Sequence, residues 1–218
     1  MISTTVSLEQ RVSKAFELLE DAGKKEHVGG KVTRLDHALQ VAQLAKNEDA
    51  DDETILAALL YDIGHLIRLQ EKSSLSSYSY DPLDRLVASA RNTHAIDHGR
   101  IGAKSMSAVD YGRIGGEYLR QLGFPKKTCE LIESDVMARR CILTVDPQRL
   151  ITPAVVSIVH EMYRASPLSP TEMREFEKDP LFRQKVQMRR WNYFIKVSED
   201  DPAPLDTYRE MAIRVMST

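Results

Sequence analysis

Five large aliphatic residues, Ile55, Leu56, Leu59, Leu60 and Ile63, crowd into nine positions, and a carboxylate, Asp62, stands among them. Their spacing is helical, and apolar density on this scale implies burial against other elements. A buried carboxylate is costly unless a cation, a metal or hydrogen-bond donors meet it. Asp62 therefore constrains the fold: the elements around this helix have to supply a partner for its charge.

The rest of the chain repeats the helical pattern. Ser7 to Leu19 reads as a first helix, with Val12, Ala15, Phe16 and Leu19 on one face. Gly29 and Gly30 break it off, and Thr33 is placed to cap a helix running to about Asn47. Asp51, Asp52 and Glu53 mark the acidic start of the helix that carries Asp62. Helical signal returns at Ile114–Leu122 and stops at Gly123-Phe124-Pro125. Further helices are expected at Lys127–Val136, near Val155–Met162, and at Pro170–Glu177, Leu181–Val197 and Leu205–Val215. No segment alternates as a strand. The expectation is an all-α bundle in a single domain spanning residues 1–218, large enough for a sizeable core.

One stretch differs. Residues 71–108 are serine-rich and weakly periodic, and read as a long flap inserted in the helical domain and covering the mouth of a pocket. Inside it, Asp97-His98-Gly99-Arg100-Ile101-Gly102-Ala103 is echoed by Asp110-Tyr111-Gly112-Arg113-Ile114-Gly115-Gly116. The echo is too short to be a repeat architecture.

The formal net charge of −2 gives no general attraction to nucleic acid or to an acidic membrane. Two cysteines, Cys129 and Cys141, make neither a disulfide framework nor a zinc motif. No signal-length or membrane-length apolar run is present. These features point to a cytoplasmic protein whose partner is a small molecule.

Several motifs together resemble a known family. They are Val32-Thr33-Arg34-Leu35-Asp36-His37-Ala38-Leu39-Gln40, Tyr61-Asp62-Ile63-Gly64-His65, Ile114-Gly115-Gly116-Glu117-Tyr118-Leu119, Asp135-Val136-Met137-Ala138-Arg139-Arg140, and Arg189-Arg190-Trp191-Asn192 with Lys196. In this order the chain resembles the HD-domain mixed-valence diiron oxygenases that cleave organophosphonates, relatives of myo-inositol oxygenase. The resemblance implies an HD-type helical bundle around a central site. Such enzymes hold two irons with four histidines and two aspartates. The first histidine falls on His37 and the bridging aspartate on Asp62. The remaining ligand positions fall on Tyr61, Tyr111, Asp135 and Asn192. Two oxygen ligands that some members place earlier fall on His27 and Gly30. His65 matches a histidine that meets substrate or oxygen, and Arg139 matches a lysine that contacts the phosphonate. His98, in the echoed motif, offers an imidazole where Tyr111 has none. The resemblance thus implies the family's fold with most of its metal ligands replaced.

Neutral tyrosine is a poor ligand for divalent iron, and an amide oxygen is weak beside a carboxylate. No metal and no cofactor are expected, although His37, His65 and Asp62 leave a single-metal set open. The plainest reading of His37 and Asp62 is a buried pair tying two helices together. Tyr61, Tyr111 and Trp191 read equally as core aromatics, and Arg139 can pair with Asp135 one helical turn earlier. Yet every replaced ligand is polar, where a core released from metal binding would gain from apolar filling. Retained polar groups point to a working pocket.

The expectation is a metal-independent acid–base enzyme of isomerase, cyclase or lyase type acting on a small polar molecule. Asp62, Asp135 and His65 supply acid and base, and Tyr61 and Tyr111 donate to a developing oxyanion. His37, Arg139, Asn192 and His98 bind substrate. A non-catalytic relative that binds a ligand or protein partner is the alternative, and a residual metal-dependent oxygenase or phosphohydrolase the third.

Overall fold

A computed structural model describes residues 6–28, 32–73, 110–145, 167–193 and 202–217. Residues 74–108 of the expected flap, with His98, and the helix expected near Val155–Met162 lie outside the described residues, while residues 71–73 end a helix.

The described residues form ten helices and one very short hairpin. Helix α1 spans Leu8–Asp21. Strands β1 (His27–Val28) and β2 (Val32–Thr33) pair antiparallel, His27 opposite Thr33. Then follow α2 (Arg34–Asn47), α3 (Asp52–Leu59) and α4 (Ile63–Ser73). Beyond the flap come α5 (Tyr111–Gln121), α6 (Lys126–Glu133) and α7 (Asp135–Val145). The last are α8 (Pro170–Glu177), α9 (Phe182–Tyr193) and α10 (Leu205–Met216). The all-α expectation holds. The hairpin is the addition, with strands of two residues each, too short for alternation to be read.

Local chemistry sets the helix ends. Ser7 and Ser169 form capping boxes with Gln10 and Glu172, satisfying donors that a helix start leaves open. Thr33, Asp51 and Asp110 each accept from a backbone N–H three residues on. Helix α5 ends in a Schellman turn. Gly123 has φ +84°, the Phe124 N–H donates to Leu119 O at 3.0 Å, and the Gly123 N–H donates to Arg120 O at 3.0 Å.

Helix α3 is the hub. Every residue from Thr54 to Leu59 is buried, and α2, α6, α9 and α10 all pack on it. The main core joins α1–α6, α9 and α10, and a smaller cluster of Ala138, Cys141, Leu168 and Phe176 lies on the far side of α7.

Two expected continuous helices are divided. The apolar helix that was to carry Asp62 stops at Leu59, and Leu60, Tyr61 and Asp62 form a turn before α4. The segment Lys127–Val136 is split at Ser134, so that Asp135 opens α7. Both breaks fall at residues of the candidate site.

Candidate functional site

The turn between α3 and α4 sends two consecutive side chains to different partners. Tyr61 is buried and its hydroxyl donates to Asp135 Oδ1 at 2.7 Å. Asp62 reaches α2 instead. Arg34 Nη1 donates to Asp62 Oδ2 at 3.1 Å, and His37 Nδ1 lies 3.9 Å from the same oxygen. That separation is an electrostatic contact rather than a hydrogen bond. His37 Nε2 lies 3.2 Å from the backbone oxygen of Asn192. A carbonyl only accepts, so Nε2 carries a proton. His37 thus bridges α2 and α9, and Asn192 enters the site through its main chain.

Asp135 is enclosed by donors. Arg139 Nη2 donates to Oδ2 at 2.6 Å, and Arg189 Nη1 lies 3.4 Å from Oδ1. The carboxylate also sits in the first turn of α7, where the helix dipole favours negative charge. Burial alone would push the Asp135 carboxyl upward. The charges of Arg189 and Arg139, with the Tyr61 hydrogen bond, overcome that and hold it below the usual carboxylate range. The same pairing drives Tyr61 the other way. Burial first and the adjacent Asp135 charge second raise its phenol well above the ordinary value, so that it stays a donor.

His65 stands one turn into α4 and stacks on Tyr111, the first residue of α5, with ring centroids 3.7 Å apart and planes inclined by 19°. Burial lowers its pKa from the ordinary 6.5, outweighing the opposing pull of Asp62. His65 is accordingly neutral at pH 7.

Glycines make this arrangement possible. A Cβ at Gly64 would run into the Tyr111 carbonyl oxygen, and one at Gly112 would come within 2.6 Å of Ile132 O and 3.1 Å of the Asp135 Cβ. The backbones of α4, α5 and α6 meet where those side chains would be. This contact places His65 against Tyr111 and packs α5 beside Asp135.

The structure places eight of the nine sequence candidates on five helices, α2, α4, α5, α7 and α9, and on the turn between α3 and α4. Asp62 and His37 form one group, Tyr61, Asp135 and Arg139 a second, and His65 with Tyr111 a third. Asn192 is joined by its carbonyl, and His98 lies outside the described residues. Two cations went unassigned at the sequence level, Arg34 and Arg189. Each lies one helical turn before a candidate on its own helix, His37 and Asn192, and that spacing was the available signal. Among the described residues, no group of three or more His, Cys, Asp or Glu side chains is arranged to hold a metal ion. No described helix is long and apolar enough to cross a membrane.

An all-helical scaffold with a His and an Asp on adjoining elements is the arrangement of the HD class. Relatives narrow it. The chain is 30% identical over 190 residues to the hydroxymethylphosphonate dioxygenase of Gimesia maris, covering 86% of this chain and 79% of that protein. It is 27% identical over 172 residues to a glycine-betaine-forming dioxygenase of 1-hydroxy-2-(trimethylamino)ethylphosphonate from Leisingera caerulea, covering 79% and 73%. It is 29% identical over 208 residues to an uncharacterised protein of Acanthamoeba polyphaga mimivirus, covering 95% and 83%. No family model matches the chain. The chain belongs to the HD-domain oxygenase family of these phosphonate dioxygenases.

Proposed function

We propose that this member of the family works without metal, as an acid–base enzyme of isomerase, cyclase or lyase type on a small polar organic acid. One observation carries the reading: both candidate carboxylates are already neutralised by arginine, Asp62 by Arg34 and Asp135 by Arg139 and Arg189. The described residues do not fit an iron pair. Tyr61 is a neutral phenol whose proton is committed to Asp135, and the His37 Nε2 proton points at a main-chain carbonyl. A cation added beside Asp135 would have to displace two guanidinium groups.

Roles divide by environment. Asp135 is held ionised and fully engaged, so it organises Tyr61, Arg139 and Arg189 rather than exchanging protons. His65 is half-buried, neutral and stacked, next to the charges of Asp62 and Arg34. It takes a proton from one position of the substrate and returns it to another, leaving the substrate's oxidation state unchanged.

The test joins two measurements on protein made in iron-replete medium: elemental analysis, and deuterium exchange from solvent into small hydroxyphosphonates and hydroxycarboxylates. Iron well below stoichiometric and exchange insensitive to chelator are expected, with His65→Asn lowering exchange about 10²-fold or more. Near-stoichiometric iron with oxygen uptake on hydroxymethylphosphonate would overturn the reading. That outcome is the second reading, a retained phosphonate dioxygenase, and the activities of the relatives favour it.

A further inference from the structure

Arg34 carries a donor that nothing in the site meets. Its Nη1 is held by Asp62 at 3.1 Å, while its Nε is buried and makes no hydrogen bond. A buried guanidinium N–H without an acceptor is costly, and such an atom in a folded protein calls for a partner from outside the chain, a water or a ligand. Nε shares one edge of the planar guanidinium with Nη2. That edge presents two parallel donors, matching two oxygens of a carboxylate or phosphonate. Asp62 holds the group through Nη1, so the Nε–Nη2 edge is the one left without a partner. The charge of Arg34 is felt at the ring of His65, which is stacked on Tyr111, so the two groups belong to one neighbourhood.

We infer that Arg34 is a substrate-binding residue, taking an oxyanion of a small organic acid on its Nε–Nη2 edge, and that Asp62 is the positioning residue that aims it. This rests on the proposed function for the purpose of the anion, since it sets the anchored substrate next to the proton-moving His65. The geometry of Arg34 stands without it. Asp62 then serves by fixing Nη1, and the family's position for a bridging carboxylate becomes the brace of an anion clamp. The chemistry of the clamp is common to phosphonates and carboxylates.

The experiment measures binding to the full chain by calorimetry, with hydroxymethylphosphonate and glycolate as separate probes. Arg34→Lys keeps the charge and removes the paired donors. It should weaken binding of the preferred probe about tenfold or more. In wild-type protein, the Arg34 Nε–Hε resonance should move when the probe is added. This readout needs no variant to fold, and a merely structural arginine would not give it. Binding of hydroxymethylphosphonate over glycolate identifies a phosphonate substrate, and the reverse a carboxylate. Saturable binding that Arg34→Lys leaves unchanged, an unmoved Nε–Hε resonance, or no binding of either probe at millimolar concentration would each overturn the inference. Iron content and deuterium exchange separate the two proposals. A weakened Arg34→Lys in an iron-loaded protein retains the clamp and discards the metal-free reading, whereas an unchanged Arg34→Lys in an iron-free, exchange-competent protein does the reverse.

Discussion

Asp62 and Asp135 are both carboxylates of the candidate site, and their surroundings differ in kind. Asp135 meets two arginines and a tyrosine in a buried setting, its side chain 12% exposed. Asp62 meets one arginine at hydrogen-bond distance and one histidine at 3.9 Å, its side chain 18% exposed. The first is saturated, whereas the second belongs to a group with an unfilled donor. Saturation fixes structure. An incomplete set of partners leaves room for chemistry. The fold thus saturates one carboxylate and leaves the other beside an arginine with an unpartnered donor.

The largest test of this contrast is Asp135→Asn. It takes the counter-charge from Arg139 and Arg189 and should cost about 3–5 kcal/mol, the usual penalty for breaking a buried pair. Denaturant unfolding measures it. A loss below about 1 kcal/mol would place Asp135 in the same class as an exposed ion pair. Tyr61→Phe removes one hydrogen bond to the ionised carboxylate and should cost about 1.5–3 kcal/mol by the same assay. Asp62→Asn should cost only about 1 kcal/mol, since its pair with Arg34 is partly solvated. If Asp62→Asn proved as damaging as Asp135→Asn, the contrast between the regions would collapse.

The smallest effect lies on the pH axis and should separate the two regions. His65 titrates below its ordinary 6.5 in the folded chain. The unfolded chain therefore takes up its proton first, and stability declines as pH falls below about 6.5. Asp135 has a folded pKa below 3.8, so its contribution is present above that value and is lost only as pH falls through the lower folded one. Melting followed from pH 7 down to 3 should show a shallow loss with the slope of one proton, about 1.4 kcal/mol per pH unit at most. In His65→Asn that early slope should vanish while the acid-end loss remains.

What the sequence disclosed follows the range of each interaction. The starts at Ser7, Thr33 and Pro170 were readable because the residues that begin a helix are neighbours in the chain. So was the Arg139–Asp135 pair, one turn apart on one helix. The break at Leu60–Asp62 was hidden because the aliphatic spacing runs unchanged through it. What interrupts the helix is the tertiary demand that Tyr61 reach α7 and Asp62 reach α2. Arg34 finds Asp62 across 28 residues, and Arg189 finds Asp135 from a different helix, so the only local mark of either was its place one turn before His37 or Asn192. The resemblance located Tyr61, Asp62, His65 and Asp135 as positions. It could not say that arginine charge gathers around Asp62 and Asp135.

The short turn of Leu60, Tyr61 and Asp62 works as a phase setter. Upstream of it α3 is locked in the centre of the core, and downstream α4 presents His65 to Tyr111. One residue inserted there would rotate everything after it by roughly 100° about the α4 axis. The hub would stay intact while the imidazole swung off its aromatic neighbour. The length of this three-residue turn is therefore fixed by two contacts at once, α3 packed in the core and His65 stacked on Tyr111.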